Sequence, residues 1–205
     1  MRVIELKGAL KDFTVFSLAD IKAIDGSFHR RRLNEWQDKK YIRKIIKGYY
    51  IFSDIQLNEN VLFEIANRIY SPSYISLEMA LSHYRLIPES TYAVTSVSTR
   101  RTYRFTTPIA EFIYKTIKPQ LFFGYQIVKY DNKYFKMAGI EKAVLDYFYI
   151  NPDIKGKNDF ASLRINQNEL FKQLNEEKLL NFLEKFSQKT LTNRVRAFLR
   201  YMKNA

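Results

Sequence analysis

Residues 28 to 52 read FHRRRLNEWQDKKYIRKIIKGYYIF, and no other stretch restricts the fold as much. Leu33 and Trp36 are three apart, so on a helix they share one stripe, which also takes in His29 and Lys40. If that stripe faces a core, His29 is a packed histidine, and Arg30, Arg31, Asn34 and Gln37 lie on other faces. The spacing predicts a helix over residues 28–40. The pattern then turns β-branched and aromatic: residues 41–45 and 49–52 read as two short strands joined by a turn ending at Lys47-Gly48.

The run is also charged. Residues 28 to 47 hold eight basic side chains against Glu35 and Asp38. Residues 1–52 carry a net +6, residues 53–150 +2 and residues 151–205 +5. The N-terminal excess therefore sits in this one segment, as a patch rather than a coat. A patch of that sign attracts polyanions.

Upstream, residues 3–10 read as a first helix. Ser17 has the character of an N-cap, with Asp20 three residues on, so residues 18–24 form a second. Asp25-Gly26-Ser27 is a turn. Helix, helix, turn, helix and hairpin within about 50 residues is the order of a winged helix-turn-helix. In that arrangement Arg30, Arg31, Asn34 and Gln37 are candidates for reading base edges, since arginine pairs bidentately with guanine and asparagine or glutamine with adenine. Arg32, Lys39, Lys40, Arg43, Lys44 and Lys47 are candidates for phosphate contact, which fixes register without reading sequence. Arg32 lies near the edge of the buried face, where phosphate or structural duty suits it.

Composition narrows the chemistry. No cysteine is present, so disulfides, thiolate metal sites and cysteine nucleophiles are excluded. The two histidines, His29 and His83, lack metal-ligand spacing, and none of the six glycines belongs to a phosphate-binding loop. No catalytic residue, metal or cofactor is expected. No apolar run is long enough to span a membrane, and the charged N-terminus does not read as a secretory signal. A cytoplasmic protein without membrane contact is expected.

After Phe52 the chain changes character. Residues 61–69, with Asn60 as cap, and 77–84, with Ser76 as cap, read as helices separated by Ser71-Pro72-Ser73. Strands are expected over residues 92–97, 101–106, 112–117, 122–130 and 134–138, the last two forming a hairpin about Asp131-Asn132. Residues 140–150 read as a buried helix, and the chain from Asn166 on as helical. The expected fold class is α+β: a winged helix-turn-helix over 1–53, then an α+β body over 54–205, with mixed helix and sheet over 54–158 and helices over 159–205. Arg100, Arg101 and Arg104 beside a hairpin turn, and Arg194, Arg196 and Arg200 on the last helix, form a possible second basic surface. Each group also fits an ordinary solvated turn or helix face. Glu141, Lys142 and Asp146 share a helix and make a polar site conceivable, although a glutamate near a helix N-terminus is favoured by the dipole alone.

The segment SPSYISLEMALSHYRLIPESTYAVTSVSTRRTYRF, residues 71–105, resembles the central signature of the AbiEi antitoxin family. LFFGY (121–125) and GIEKAVLDYFY (139–149) resemble that family's later motifs in the same order, and YIRKIIKGYYIF (41–52) resembles its wing, with Lys40 where a glycine is common. The resemblance covers about residues 10–150. It implies a bacterial antitoxin of a type IV toxin–antitoxin system that represses its own operon at inverted-repeat operators on double-stranded DNA. The counterpart it implies is a nucleotidyltransferase-like toxin, counteracted without need of a tight complex. Inverted repeats imply a homodimer or cooperatively bound monomers. Two other functions remain open: neutralisation by direct contact with the toxin, and an enzyme acting on toxin or nucleic acid through the body.

Overall fold

The computed structural model describes residues 1–88 and 93–204. The chain is α+β. Its first 52 residues form α1 (Val3–Ala9), β1 (Phe16–Ser17), α2 (Leu18–Ile24), α3 (Arg31–Asp38), β2 (Ile42–Ile46) and β3 (Tyr49–Phe52). These three strands make an antiparallel sheet in the order β1-β3-β2, an arrangement compatible with the winged helix-turn-helix expected from the sequence. Ser17 and Asp20 form the capping box of α2, with Ser17 Oγ accepting from Asp20 N and Asp20 Oδ2 from Ser17 N. Leu6, Leu10, Phe16, Ile21, Phe28, Leu33, Trp36 and Ile42 bury together as the core of this head. Each such side chain contributes about 1.5–3 kcal/mol through burial.

Helix α3 is shorter than its sequence pattern. It begins at Arg31, and Phe28 enters the core from the preceding turn, with its ring 5.2 Å from that of Trp36. The helical phase therefore does not reach His29, which is exposed rather than packed. At the other end, Lys40 N donates to Gln37 O and Tyr41 N to Trp36 O, the paired bonds of a Schellman stop. That stop requires a left-handed residue, and Lys40 takes the place with φ +56°.

The body is a six-stranded mixed sheet, ordered β6-β7-β5-β4-β9-β8. Its strands are β4 (Ser73–Ile75), β5 (Ala93–Ser98), β6 (Tyr103–Thr106), β7 (Glu111–Thr116), β8 (Tyr125–Tyr130) and β9 (Lys133–Ala138). β5 runs parallel to β7 and β4 parallel to β9; the other pairings are antiparallel. Helix α4 (Glu59–Ile69) covers one face, with Phe63 against Phe135 at 5.2 Å and Tyr114 donating to Ala66 O. Tyr74 points to the other face, toward α6 (Ile140–Ile150), and α5 (Leu77–His83) packs beside α6. Further out lie α7 (Lys157–Ser162), α8 (Gln167–Gln173), α9 (Glu176–Phe186) and α10 (Lys189–Lys203).

Several boundaries differ from expectation, for local reasons. The cap of α4 is Asn58, whose side chain accepts from Val61 N, and not Asn60. Ser76 sits at the N-cap of α5 but its hydroxyl donates to Asp146, so it does not cap. Ser71-Pro72 is a cis bond, and the break leads straight into β4, a strand without a sequence signal because three residues show no period. The strand expected from residue 122 begins at Tyr125, after a 3₁₀ turn over Pro119–Leu121. The start of the strand expected at Tyr92 lies outside the described residues.

Head and body share a core. Val15, Ile45 and Ile51 bury into the body's hydrophobic cluster, not the head's own. Around them, Thr14 and Tyr130 both donate to the Glu64 carboxylate, and Lys133 Nζ donates to Thr14 at 2.8 Å. Arg68 bridges to Asp20 at 2.8 Å.

Candidate nucleic-acid interface

The burial of Leu33 at 1% and Trp36 at 3% fixes which face of α3 is free. Arg30, at the N-cap position, Arg31 and Asn34 are exposed, and their side chains make no hydrogen bond or ion pair with any described residue. They form one free edge carrying two guanidinium groups and an amide. Gln37 is half-buried, and its Nε2 donates to Leu33 O at 2.9 Å, so its amide is engaged with the helix's own backbone. Arg32 is half-buried over two aromatic rings, 5.9 Å from the Phe28 centroid and 5.3 Å from that of Trp36. It seals the head core through cation–π contact.

The hairpin separates its cations by face. Lys44 and Lys47 are exposed. Gly48, with φ +90°, closes the tight turn and holds Lys47 at the tip. Arg43 pairs across the ladder with Ile51, so it lies on the side that meets the body; it is half-buried, and its Nε is enclosed with no hydrogen-bond partner. Lys39 is exposed but paired with Glu35 at 2.8 Å, which holds that carboxyl below its ordinary range and raises the lysine. Lys40 is exposed at the helix stop. Among the residues proposed from the sequence for DNA contact, the exposed cations without an ion-pair partner are thus Arg30, Arg31, Lys40, Lys44 and Lys47.

The second basic surface divides as well. The Arg100 guanidinium stacks 4.1 Å above Tyr70 and donates to Ser71 O, and Arg104 pairs with Glu111 at 3.3 Å. Arg101 is exposed, and its backbone carbonyl accepts from Tyr70. Arg194 is a structural residue rather than a surface cation. Its guanidinium donates to the carbonyls of Phe148, Asn151 and Ile154, tying α10 to the end of α6. Burial lowers its pKa from the ordinary value. Arg196 and Arg200 remain exposed.

Glu141, Lys142 and Asp146 are all buried, at 3%, 0% and 0%. Lys142 Nζ donates to Asp146 Oδ1, while Tyr74 and Ser76 donate to Oδ2 at 2.9 and 2.8 Å. The rings of Tyr74, Phe123 and Phe186 stand 5.1 to 5.6 Å from the ammonium. Gly124, at φ +72°, passes so close that a Cβ there would lie 3.1 Å from the Lys142 chain and 2.9 Å from Phe182. Desolvation raises Asp146 and lowers Lys142, and their mutual attraction opposes both. Glu141 accepts from Asn175 N and pairs with Lys178 at 2.9 Å. The motif stretches SPSYIS, LFFGY and GIEKAVLDYFY therefore converge on one sealed polar cluster. It joins α6 to the sheet and to α9 and presents no reacting atom to solvent. Helical spacing alone puts Lys142 beside Asp146, four residues on, with Glu141 turned toward α9 instead, but nothing in the sequence signals Tyr74 and Ser76, about seventy residues earlier.

No group of three or more histidine, acidic or cysteine side chains among the described residues is placed to hold a metal ion. Among them no helix is long and apolar enough to cross a membrane. In comparisons with known proteins, no family model matches the sequence and no curated protein matches it.

Proposed function

We propose that this protein is a cytoplasmic DNA-binding regulator whose head docks α3 in the major groove and rests the β2–β3 hairpin on the adjoining backbone. The observation that carries the reading is the division of α3: Trp36 and Leu33 inward, Arg30, Arg31 and Asn34 outward and unpaired, with Lys44 and Lys47 exposed on the hairpin that follows. Base discrimination falls to Arg30, Arg31 and Asn34, with Gln37 joining if it releases Leu33 O. Lys40, Lys44 and Lys47 neutralise phosphates. Arg32 and Arg43 support the interface from inside the fold.

With the resemblance to AbiEi antitoxins, the reading becomes more specific: an antitoxin that represses its own operon by occupying inverted repeats, as a homodimer or as cooperative monomers, and counteracts a nucleotidyltransferase-like toxin without a stable complex. The sealed state of the Lys142–Asp146 cluster favours a non-enzymatic body.

The test is binding to the DNA upstream of the protein's own gene. Arg31→Ala with Asn34→Ala should cost about 2–6 kcal/mol on the operator, at about 1–3 kcal/mol for each base contact removed. The loss on unrelated duplex should be much smaller. Equal affinity for upstream and unrelated DNA in the parent protein, at physiological salt, would sink the proposal.

A further inference from the structure

Helix α10 carries a second feature that the head does not explain. Lys189, Asn193, Arg196, Arg200 and Lys203 are all exposed and follow one another at steps of four, three, four and three. Those steps place them on one stripe, with neighbours about 5–6 Å apart, along a helix about 22 Å long. No acidic residue occurs in the fifteen residues of α10. Lys203 pairs with Glu176 of α9 at 2.7 Å. Arg196 and Arg200 have no ion-pair partner among the described residues, and both line an open groove between α9 and α10. Arg200 lines a second groove on the other flank together with Lys155 and Lys157.

From this we infer that the α10 stripe is a sequence-independent binding track for the phosphodiester backbone of duplex DNA, separate from the head. Three observations favour that occupant. Most of the apolar side of α10 is consumed: Leu191, Val195, Phe198, Leu199 and Met202 are all buried and Tyr201 is half-buried, leaving no protruding apolar face to insert into a lipid surface. Among the described residues the fully exposed large apolar side chains all precede residue 135, and those of α7 to α10 are at least half-buried, so this end of the chain lacks a protruding apolar anchor of the kind protein interfaces use. The groups along the stripe are two guanidiniums, two ammoniums and an amide, which are phosphate donors. Arg194, held by three backbone carbonyls, keeps the helix rigid beneath them. The inference does not depend on the head reading bases.

The experiment measures fluorescence anisotropy of a random-sequence duplex with the full chain between 50 and 200 mM salt. Three variants are compared with the parent: Arg196→Ala/Arg200→Ala, Arg31→Ala/Asn34→Ala, and all four changes together. Because the α10 residues are exposed, melting temperatures should stay unchanged. Removing two phosphate partners should flatten the log–log salt slope by about 2, in the parent and in the head-substituted background alike. An unchanged slope for the α10 variant in both backgrounds overturns the track while leaving the head reading intact. Binding of phosphatidylserine vesicles that depends on Arg196 and Arg200, with duplex binding indifferent to them, also overturns it.

Discussion

Replacing either member of the buried Lys142–Asp146 pair should cost far more than replacing both. In Asp146→Ala the ammonium stays enclosed by Tyr74, Phe123 and Phe186 without a counter-charge, and two buried hydroxyls lose their acceptor. Stranding a buried charge costs about 3–5 kcal/mol, and each unpaired hydroxyl adds about 1–3 kcal/mol. Domains of this kind hold about 5–15 kcal/mol in all, so this variant should be largely unfolded or close to it. Lys142→Met keeps the aliphatic packing and leaves Asp146 with its two hydroxyl donors. Its carboxyl, already raised by burial and now lacking the lysine's attraction, takes up a proton more readily in the folded state. A folded pKa above the unfolded one means that this variant regains stability as pH falls, so its deficit should be smaller at pH 5 than at pH 7. In Lys142→Met/Asp146→Asn the amide oxygen still accepts from Tyr74 and Ser76, and no charge is buried. The amide N–H that replaces Oδ1 loses a partner, at about 1–3 kcal/mol, so this variant should lie within about 3 kcal/mol of the parent. Urea unfolding followed by circular dichroism gives the three values, and operator binding of the double variant shows whether the pair has any part in DNA recognition. Single-variant losses below about 1 kcal/mol, or a double variant equal to the sum of the singles, would refute the reasoning.

Lys40→Gly should stabilise the protein by about 0.5–1 kcal/mol, because the left-handed backbone at the end of α3 penalises a side chain that glycine lacks; the same change should flatten the salt slope of DNA binding if Lys40 touches a phosphate. A thermal melt and a salt titration read the two effects separately. Asp20→Ala should cost about 1–2 kcal/mol at neutral pH, removing the carboxylate's half of the α2 capping box, which accepts from Ser17 N, and the bridge to Arg68. Although desolvation pushes Asp20 upward, the bonds from Ser17 and the charge of Arg68 outweigh it and hold its carboxyl below the ordinary value of 3.8. Its contribution is therefore complete above that value and disappears as pH falls through the depressed one, so parent and variant melting curves should converge only in strong acid.

Where the sequence carried a period, it located the element well. Residues 140–150 matched α6 because eight of the eleven positions are buried and a helix of that length leaves little ambiguity. The capping box at Ser17 was equally plain, since its two partners are three residues apart. What escaped was set by distant contacts. β1 and β4, of two and three residues, exist because β3, β5 and β9 pair with them. The parallel pairing of β5 with β7 has no local signature. On α3, alternation of Leu33 and Trp36 with polar neighbours was enough to place Arg31 and Asn34 on the exposed side. The half-burial of Arg43 was not legible, because it depends on which side of the hairpin the body covers. Arg194 looked like a surface cation for the same reason: the carbonyls that claim it lie forty or more residues away.

The seating of Val15, Ile45 and Ile51 in the body's interior has a consequence for how the molecule could be taken apart. A head severed after Ser53 would expose three aliphatic side chains and orphan Thr14 from Glu64 and Lys133. The fragment would be sticky and poorly soluble, and the remainder would be left with a bare hollow. Nor can α3 swivel on a slack tether. Its bearing is set by the same contacts that seat the hairpin against the body, so under the proposed function a duplex held by the head would run in one fixed direction past the rest of the molecule.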